Sequence, residues 1–154
     1  MQKLSSPTSA DQKRKPPRSV LFLCGMNSIR SPMAEAIARS LLPRDVFVTS
    51  AGVYKGEPDG FVSAILHEHG LAAPDRVPHT LDELEDDFFE LIVTLAPEAH
   101  HRALELTRSQ PVEVEYWPLQ DPSKVAGSRD QILDAYRQVR NTLENRIRDR
   151  FLEK

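Results

Sequence analysis

One stretch of this chain combines residue types that can perform chemistry at a spacing that lets them cooperate. Cys24-Gly25-Met26-Asn27-Ser28-Ile29-Arg30 sets five residues between the only cysteine and an arginine, and Ser31-Pro32 follows at once. A thiolate is a strong nucleophile, and helix N-termini and adjacent cations favour the ionised form. A guanidinium presents a planar fork that grips two oxygens of a tetrahedral anion. Between them, the loop N–H groups of Gly25, Met26, Asn27, Ser28, Ile29 and Arg30 can form a nest around that anion. Gly25 and Asn27 tolerate the left-handed backbone angles that such a wrap demands. Arginine is common in the chain, so the spacing alone is weak evidence. A buried inert cysteine followed by a surface charge is the bland alternative. The Gly-Lys-Ser/Thr ending of a nucleotide-binding loop is absent.

The flanking elements give the loop its meaning. Val20-Leu21-Phe22-Leu23 is a continuous apolar run, the pattern of a strand buried on both faces. Ser31-Pro32 offers an N-cap and a first-turn proline, which predicts a helix running to about Leu42 and stopped by Pro43. Val46–Thr49 reads as a second strand, Ser50-Ala51-Gly52 as a turn, and Asp59–His69 as a helix ended by Gly70, with Phe61, Val62, Ile65, Leu66 and His69 on its inner face. Leu91–Leu95 predicts a third strand with a helix from Pro97. Val112, Val114 and Tyr116 alternate with Glu113 and Glu115 as a fourth, half-open strand. The last helix spans about Arg129–Phe151. Strands alternating with helices imply an α/β fold, a parallel sheet in three layers with helices on both faces. Ligands bind such sheets beyond the carboxyl ends of the strands, where Cys24 lies.

The bulk properties narrow the function classes. With 154 residues, one domain is expected over 19–154, preceded by a basic, Ser/Pro-rich tail over 1–18 that reads as flexible. A net charge of -3 provides no broad basic surface and argues against nucleic acid as a general partner. A single cysteine permits neither an intrachain disulfide nor a Cys-rich zinc site, and with no signal-like or membrane-length apolar run it points to the cytoplasm and away from membranes.

Val20-Leu21-Phe22-Leu23-Cys24, then Asn27, then Arg30-Ser31-Pro32-Met33-Ala34-Glu35, with Thr49-Ser50-Ala51-Gly52 and Asp121-Pro122 later, resemble the low-molecular-weight protein tyrosine phosphatase family and the arsenate reductases that share its fold. The resemblance covers Val20 to the C-terminus and implies a four-stranded parallel sheet flanked by helices. It implies metal-free, cofactor-free hydrolysis of a phosphorylated protein or small phosphomonoester through a phosphocysteine, with inorganic phosphate or arsenate as oxyanion ligands. On this chain Cys24 is the implied nucleophile, Arg30 the phosphate clamp, Asn27 the keeper of loop shape and Ser31 a donor to the thiolate. Asp121 is the implied general acid, entering protonated; a plain Asp-Pro turn is the alternative.

Three positions depart from the family pattern. Met26 stands where a glycine usually precedes the asparagine, Ile29 where many members carry a second cysteine, and no paired tyrosines follow Asp121-Pro122. Tyr54 or Trp117 is then left to line an aromatic wall, unless either is structural. Without a neighbouring thiol, oxidised Cys24 has no internal disulfide partner. The segment after Asp121 looks closer to the arsenate-reductase branch, where a lone cysteine can work only with an external small thiol. A phosphate-binding module without turnover is the non-enzymatic alternative. His67-Glu68-His69 and His100-His101 lack metal-ligand spacing, and the acidic run 82–87 reads as a solvated helix face.

Overall fold

A computed structural model describes residues 17–84 and 88–152. Four strands form one parallel sheet: β1 (Ser19–Cys24), β2 (Phe47–Gly52), β3 (Leu91–Thr94) and β4 (Glu113–Tyr116), in the order β2-β1-β3-β4. Helices α1 (Arg30–Leu41), α2 (Gly60–His67), α3 (Pro97–Leu106) and α4 (Arg129–Ile147) connect and flank them. The sequence-derived tail falls mostly on residues 1–16, which lie outside the described residues. Arg18 is held by the sheet: its N–H donates to Glu90 at 2.8 Å and its carbonyl accepts from Phe47.

Strand periodicity explains the layers. Val20, Phe22 and Cys24 face one side of β1 and join a core with α1, α2 and α4; Leu21 and Leu23 face the other and pack on Ala99 and Ala103 of α3. Residues 20–23 are fully buried. Each such side chain contributes about 1.5–3 kcal/mol on leaving water, so the strand delivering Cys24 is among the most firmly held parts of the molecule. The first crossover runs from β1 to β2 on one side of it, and the next returns from β2 past β1 to β3 on the other. The crevice at that reversal opens over Cys24.

Several local expectations change. Helix α1 begins at Arg30, with Ile29 at the cap position and no side-chain cap; Ser31 lies inside the first turn, its hydroxyl turned to Cys24 instead. Ser50-Ala51-Gly52 continues β2, because Gly52 pairs with Cys24 in register and bridges to Thr80. The acidic segment forms a short 3₁₀ turn at Leu81–Glu83, and residues 85–87 lie outside the described residues. Val112 precedes β4, and α4 passes at Arg148 into a π-helical turn. His69 lies beyond α2 on the surface, where Glu144 meets its Nδ1 at 2.8 Å. Among the described residues no helix is long and apolar enough to cross a membrane.

Candidate active site

The chain leaves β1 at Cys24 and turns into α1 within five residues. Asn27 sits at φ 57°, in the left-handed region, which asparagine tolerates because its short polar side chain can bond locally. That turn aims the Asn27 N–H at the Cys24 sulfur, Sγ to N 3.3 Å. Ser31 Oγ lies 2.9 Å from the same sulfur. Asn27 Nδ2 donates to both Ser31 Oγ and Ser50 Oγ, each at 2.9 Å, and its Oδ1 accepts from the His79 N–H at 3.1 Å. Both N–H groups and one lone pair of this buried asparagine amide are thereby engaged, and the left-handed turn is locked from behind. The uncapped start of α1 leaves its first-turn N–H groups facing the loop.

A second neighbour closes the loop from above. Val53 and Tyr54 donate their N–H groups to the carbonyls of Cys24 and Gly25 at 3.1 and 2.8 Å. Gly56 then lies so close that a Cβ there would collide with the Met26 carbonyl and Ser28 Oγ. Met26 is 54% exposed, with its backbone beside Gly56 and its side chain among those lining the cleft. Gly25 has its own reason, since a Cβ there would come within 2.6 Å of Glu98 Oε2.

The cleft above the sulfur has a volume of about 630 Å³. Cys24, Arg30, Tyr54, Glu98, Asp121 and Lys124 are among its lining residues. Arg30 donates to the Leu119 carbonyl at 2.9 Å, and its other terminal nitrogen stands 4.0 Å from Asp121 Oδ2. Asp121 does what a turn aspartate does and more. Its Oδ1 accepts from the N–H and hydroxyl of Ser123 at 2.9 and 2.7 Å, capping a 3₁₀ turn at Pro122–Lys124. That leaves Oδ2 on the Arg30 side.

The fold therefore brings together Cys24, the loop 25–30, Ser31 and Asp121. Tyr54, 57% exposed, is at the mouth. Trp117 is in the core, 4% exposed against Phe22 and Phe151, so it forms no wall of the cleft. The histidine candidates disperse: Glu68 pairs with Arg137 and Arg140, and His100 stacks on Tyr116. Sequence reasoning missed Arg76, His79, Gly56 and Glu98. Only Arg76 had a readable signal: Glu35 sits amid Ala34, Ala36 and Ile37 in a buried helix face, and a carboxylate there demands a cation.

A parallel sheet whose inner strand ends in a cysteine, followed by a tight loop and an arginine opening a helix, defines a cysteine-loop α/β protein. The chain belongs to the low molecular weight phosphotyrosine protein phosphatase family, whose profile matches residues 19–153. It is 30% identical over 139 residues to an arsenate reductase of Bacillus licheniformis, covering 88% of this chain and 96% of that one. Over 85 residues it is 34% identical to a low molecular weight protein-tyrosine-phosphatase of Staphylococcus epidermidis, covering 53% and 58%. The crystal structure of an arsenate reductase from Archaeoglobus fulgidus superposes with a TM-score of 0.66 at 32% identity, covering 84% of this chain and 96% of that one.

Proposed function

We propose that the protein hydrolyses phosphomonoesters, aryl phosphates of the phosphotyrosine kind first among them, through a phosphocysteine. The observation that carries this reading is the Cys24 sulfur at the base of an open cleft, met by the Asn27 N–H and the Ser31 hydroxyl, with Arg30 and Asp121 at the rim. Cys24 Sγ attacks phosphorus, the S–P bond forms and the ester P–O bond breaks. Asp121 gives its proton to the leaving oxygen. Water then attacks phosphorus, Asp121 takes that proton back, and the thiolate leaves with inorganic phosphate released. Arg30 and the loop N–H groups stabilise charge on the equatorial oxygens throughout. Tyr54 and Met26, both exposed at the mouth, supply apolar surface to an aromatic leaving group. A nucleophile that must remain reduced suits the cytoplasm.

The test is turnover of p-nitrophenyl phosphate and of a phosphotyrosine peptide. Cys24→Ser should abolish both. Asp121→Asn should slow the peptide, whose leaving group needs a proton, by about 10²-fold or more, and p-nitrophenyl phosphate much less. Full turnover by Cys24→Ser would overturn the reading, and tight phosphate binding with no turnover by the wild type would indicate a binding module.

A second reading is favoured by the similarity to arsenate reductases along nearly the whole chain. Here Cys24 displaces hydroxide from arsenate. An external small thiol attacks Sγ, and arsenite departs with the two electrons while a mixed disulfide remains. A second small thiol restores Cys24. Arsenite production from arsenate and glutathione, with the mixed disulfide on Cys24 seen by mass spectrometry, would select it over hydrolysis.

A further inference from the structure

Behind the cysteine loop lies a buried charge cluster that the proposed chemistry leaves unused. Glu35 is fully buried. Its Oε1 accepts from Ser50 Oγ at 2.6 Å and from Arg76 at 2.7 Å; its Oε2 accepts from Arg76 at 3.1 Å and from Arg39 at 2.9 Å. Arg76 therefore grips the carboxylate with two nitrogens, while one of them also donates to the Ser50 carbonyl and hydroxyl, both at 3.1 Å. His79 Nε2 lies 2.6 Å from the same Ser50 carbonyl, which can only accept, so the ring proton is on Nε2. Arg39 is half-exposed at 53%, whereas Arg76 is 27% exposed and reaches in from the 71–80 segment.

Ser50 is the hinge of the arrangement. Its single proton goes to Glu35, so its lone pairs face Asn27 Nδ2 and Arg76. Asn27 in turn holds Ser31, and Ser31 meets the Cys24 sulfur. A continuous chain of bonds thus runs from Arg76 through Glu35 and Ser50 to Asn27, the residue whose left-handed turn aims an N–H at sulfur. Without Arg76, Glu35 would keep only half-exposed Arg39 on Oε2, Oε1 would lose its cation, and the carboxylate would engage Ser50 and its neighbours differently.

The geometry points to Arg76 as a positioning residue, a built-in cation that orients Ser50 and Asn27 and so sets the shape of the Cys24 loop from its rear. The proposal rests on the reading of Cys24 as nucleophile, but its main test does not require turnover. Alkylation of Cys24 by iodoacetamide measures how the loop presents sulfur whatever the reaction catalysed.

In Arg76→Ala, alkylation at pH 6 should fall about tenfold while alkylation at pH 9.5 stays near wild type; kcat should fall at least as far. A bond chain of this kind is judged by such functional coupling and by rescue rather than by its existence. Millimolar guanidinium should restore much of both losses in Arg76→Ala and change nothing in wild type. A cleft of about 120 Å³ lined by Arg76, Asn27, Ser28 and Asp59 gives it a route to the vacated site. Arg76→Lys keeps the charge without the fork and carries the same measurements if the alanine variant does not fold; it should show the pH 6 loss in part. A variant that only melts lower, with pH 6 alkylation and kcat within twofold of wild type, would overturn the proposal. So would a loss that guanidinium leaves untouched. Wild-type protein inactive on every substrate but alkylated as described would fault the functional reading and leave the role of Arg76 standing.

Discussion

Gly52→Ala should disable the cysteine loop although residue 52 touches no substrate. Gly52 ends β2, pairs in register with Cys24, and lies directly beneath the loop. An added Cβ would stand 2.6 Å from the Met26 carbonyl carbon, 2.7 Å from the Asn27 nitrogen and 2.9 Å from the Gly25 oxygen. Ordinary contact begins at 3.4 Å, so the worst overlap is 3.4 − 2.6 = 0.8 Å. All three opposing atoms are backbone, and no rotamer relieves them. β2 cannot retreat without breaking its ladder to β1, so the loop must move by about 0.5–1 Å. Displacement of that size costs about 10²-fold in rate when it separates reacting groups from their productive geometry. Overpacking of this kind costs about 1–3 kcal/mol in stability. Gly60→Ala is the control, since nothing lies within 4 Å of a Cβ there. The assay is kcat/KM on p-nitrophenyl phosphate with thermal melting of both variants. Gly52→Ala protein with activity within threefold of wild type and an unchanged melting temperature would refute the argument that the strand end shapes the loop.

The carboxylate of Glu98 abuts Gly25 at the edge of the cleft, where it opposes any anion in the loop. Glu98→Gln should tighten inhibition by inorganic phosphate by roughly three- to tenfold, an effect that shrinks with added salt; unchanged inhibition at low salt would remove Glu98 from the account of affinity. Far from the site, hydrogen bonds from Arg137 first and Arg140 second hold the Glu68 carboxyl down at about 2, from an ordinary 4.5. A folded value below the unfolded one means that the stabilisation is complete above about pH 4.5 and is lost as pH falls towards 2. Wild type should therefore lose melting temperature more steeply than Glu68→Gln across that window. Parallel curves would show that these ion pairs contribute nothing measurable.

The sequence by itself determined the strand, loop and helix succession and the cysteine-to-arginine core of the site. Those features are local: an apolar run, a short polar loop and a first-turn proline are constrained by neighbours a few residues away. Helix α1, the strands around Val20–Leu23 and Leu91–Thr94, and the place of Cys24 at a strand end were legible for that reason. Ser31 was legible as a residue but misread as a cap, because its hydroxyl oxygen could accept from a first-turn N–H or its hydroxyl could meet the sulfur, and only the fold decides which partner is near. Trp117 and Tyr54 could not be separated by type, since burial is a property of the whole sheet.

What only the tertiary structure decided is the rear and the rim of the loop. Arg76 meets Glu35 across 41 residues, Asn27 meets Ser50 across 23, and Glu98 reaches Gly25 from the other side of the crevice. No periodicity or spacing encodes such pairs. They exist because a parallel sheet delivers the ends of distant strands to one edge, and because a buried carboxylate is tolerated only where the fold carries a cation to it.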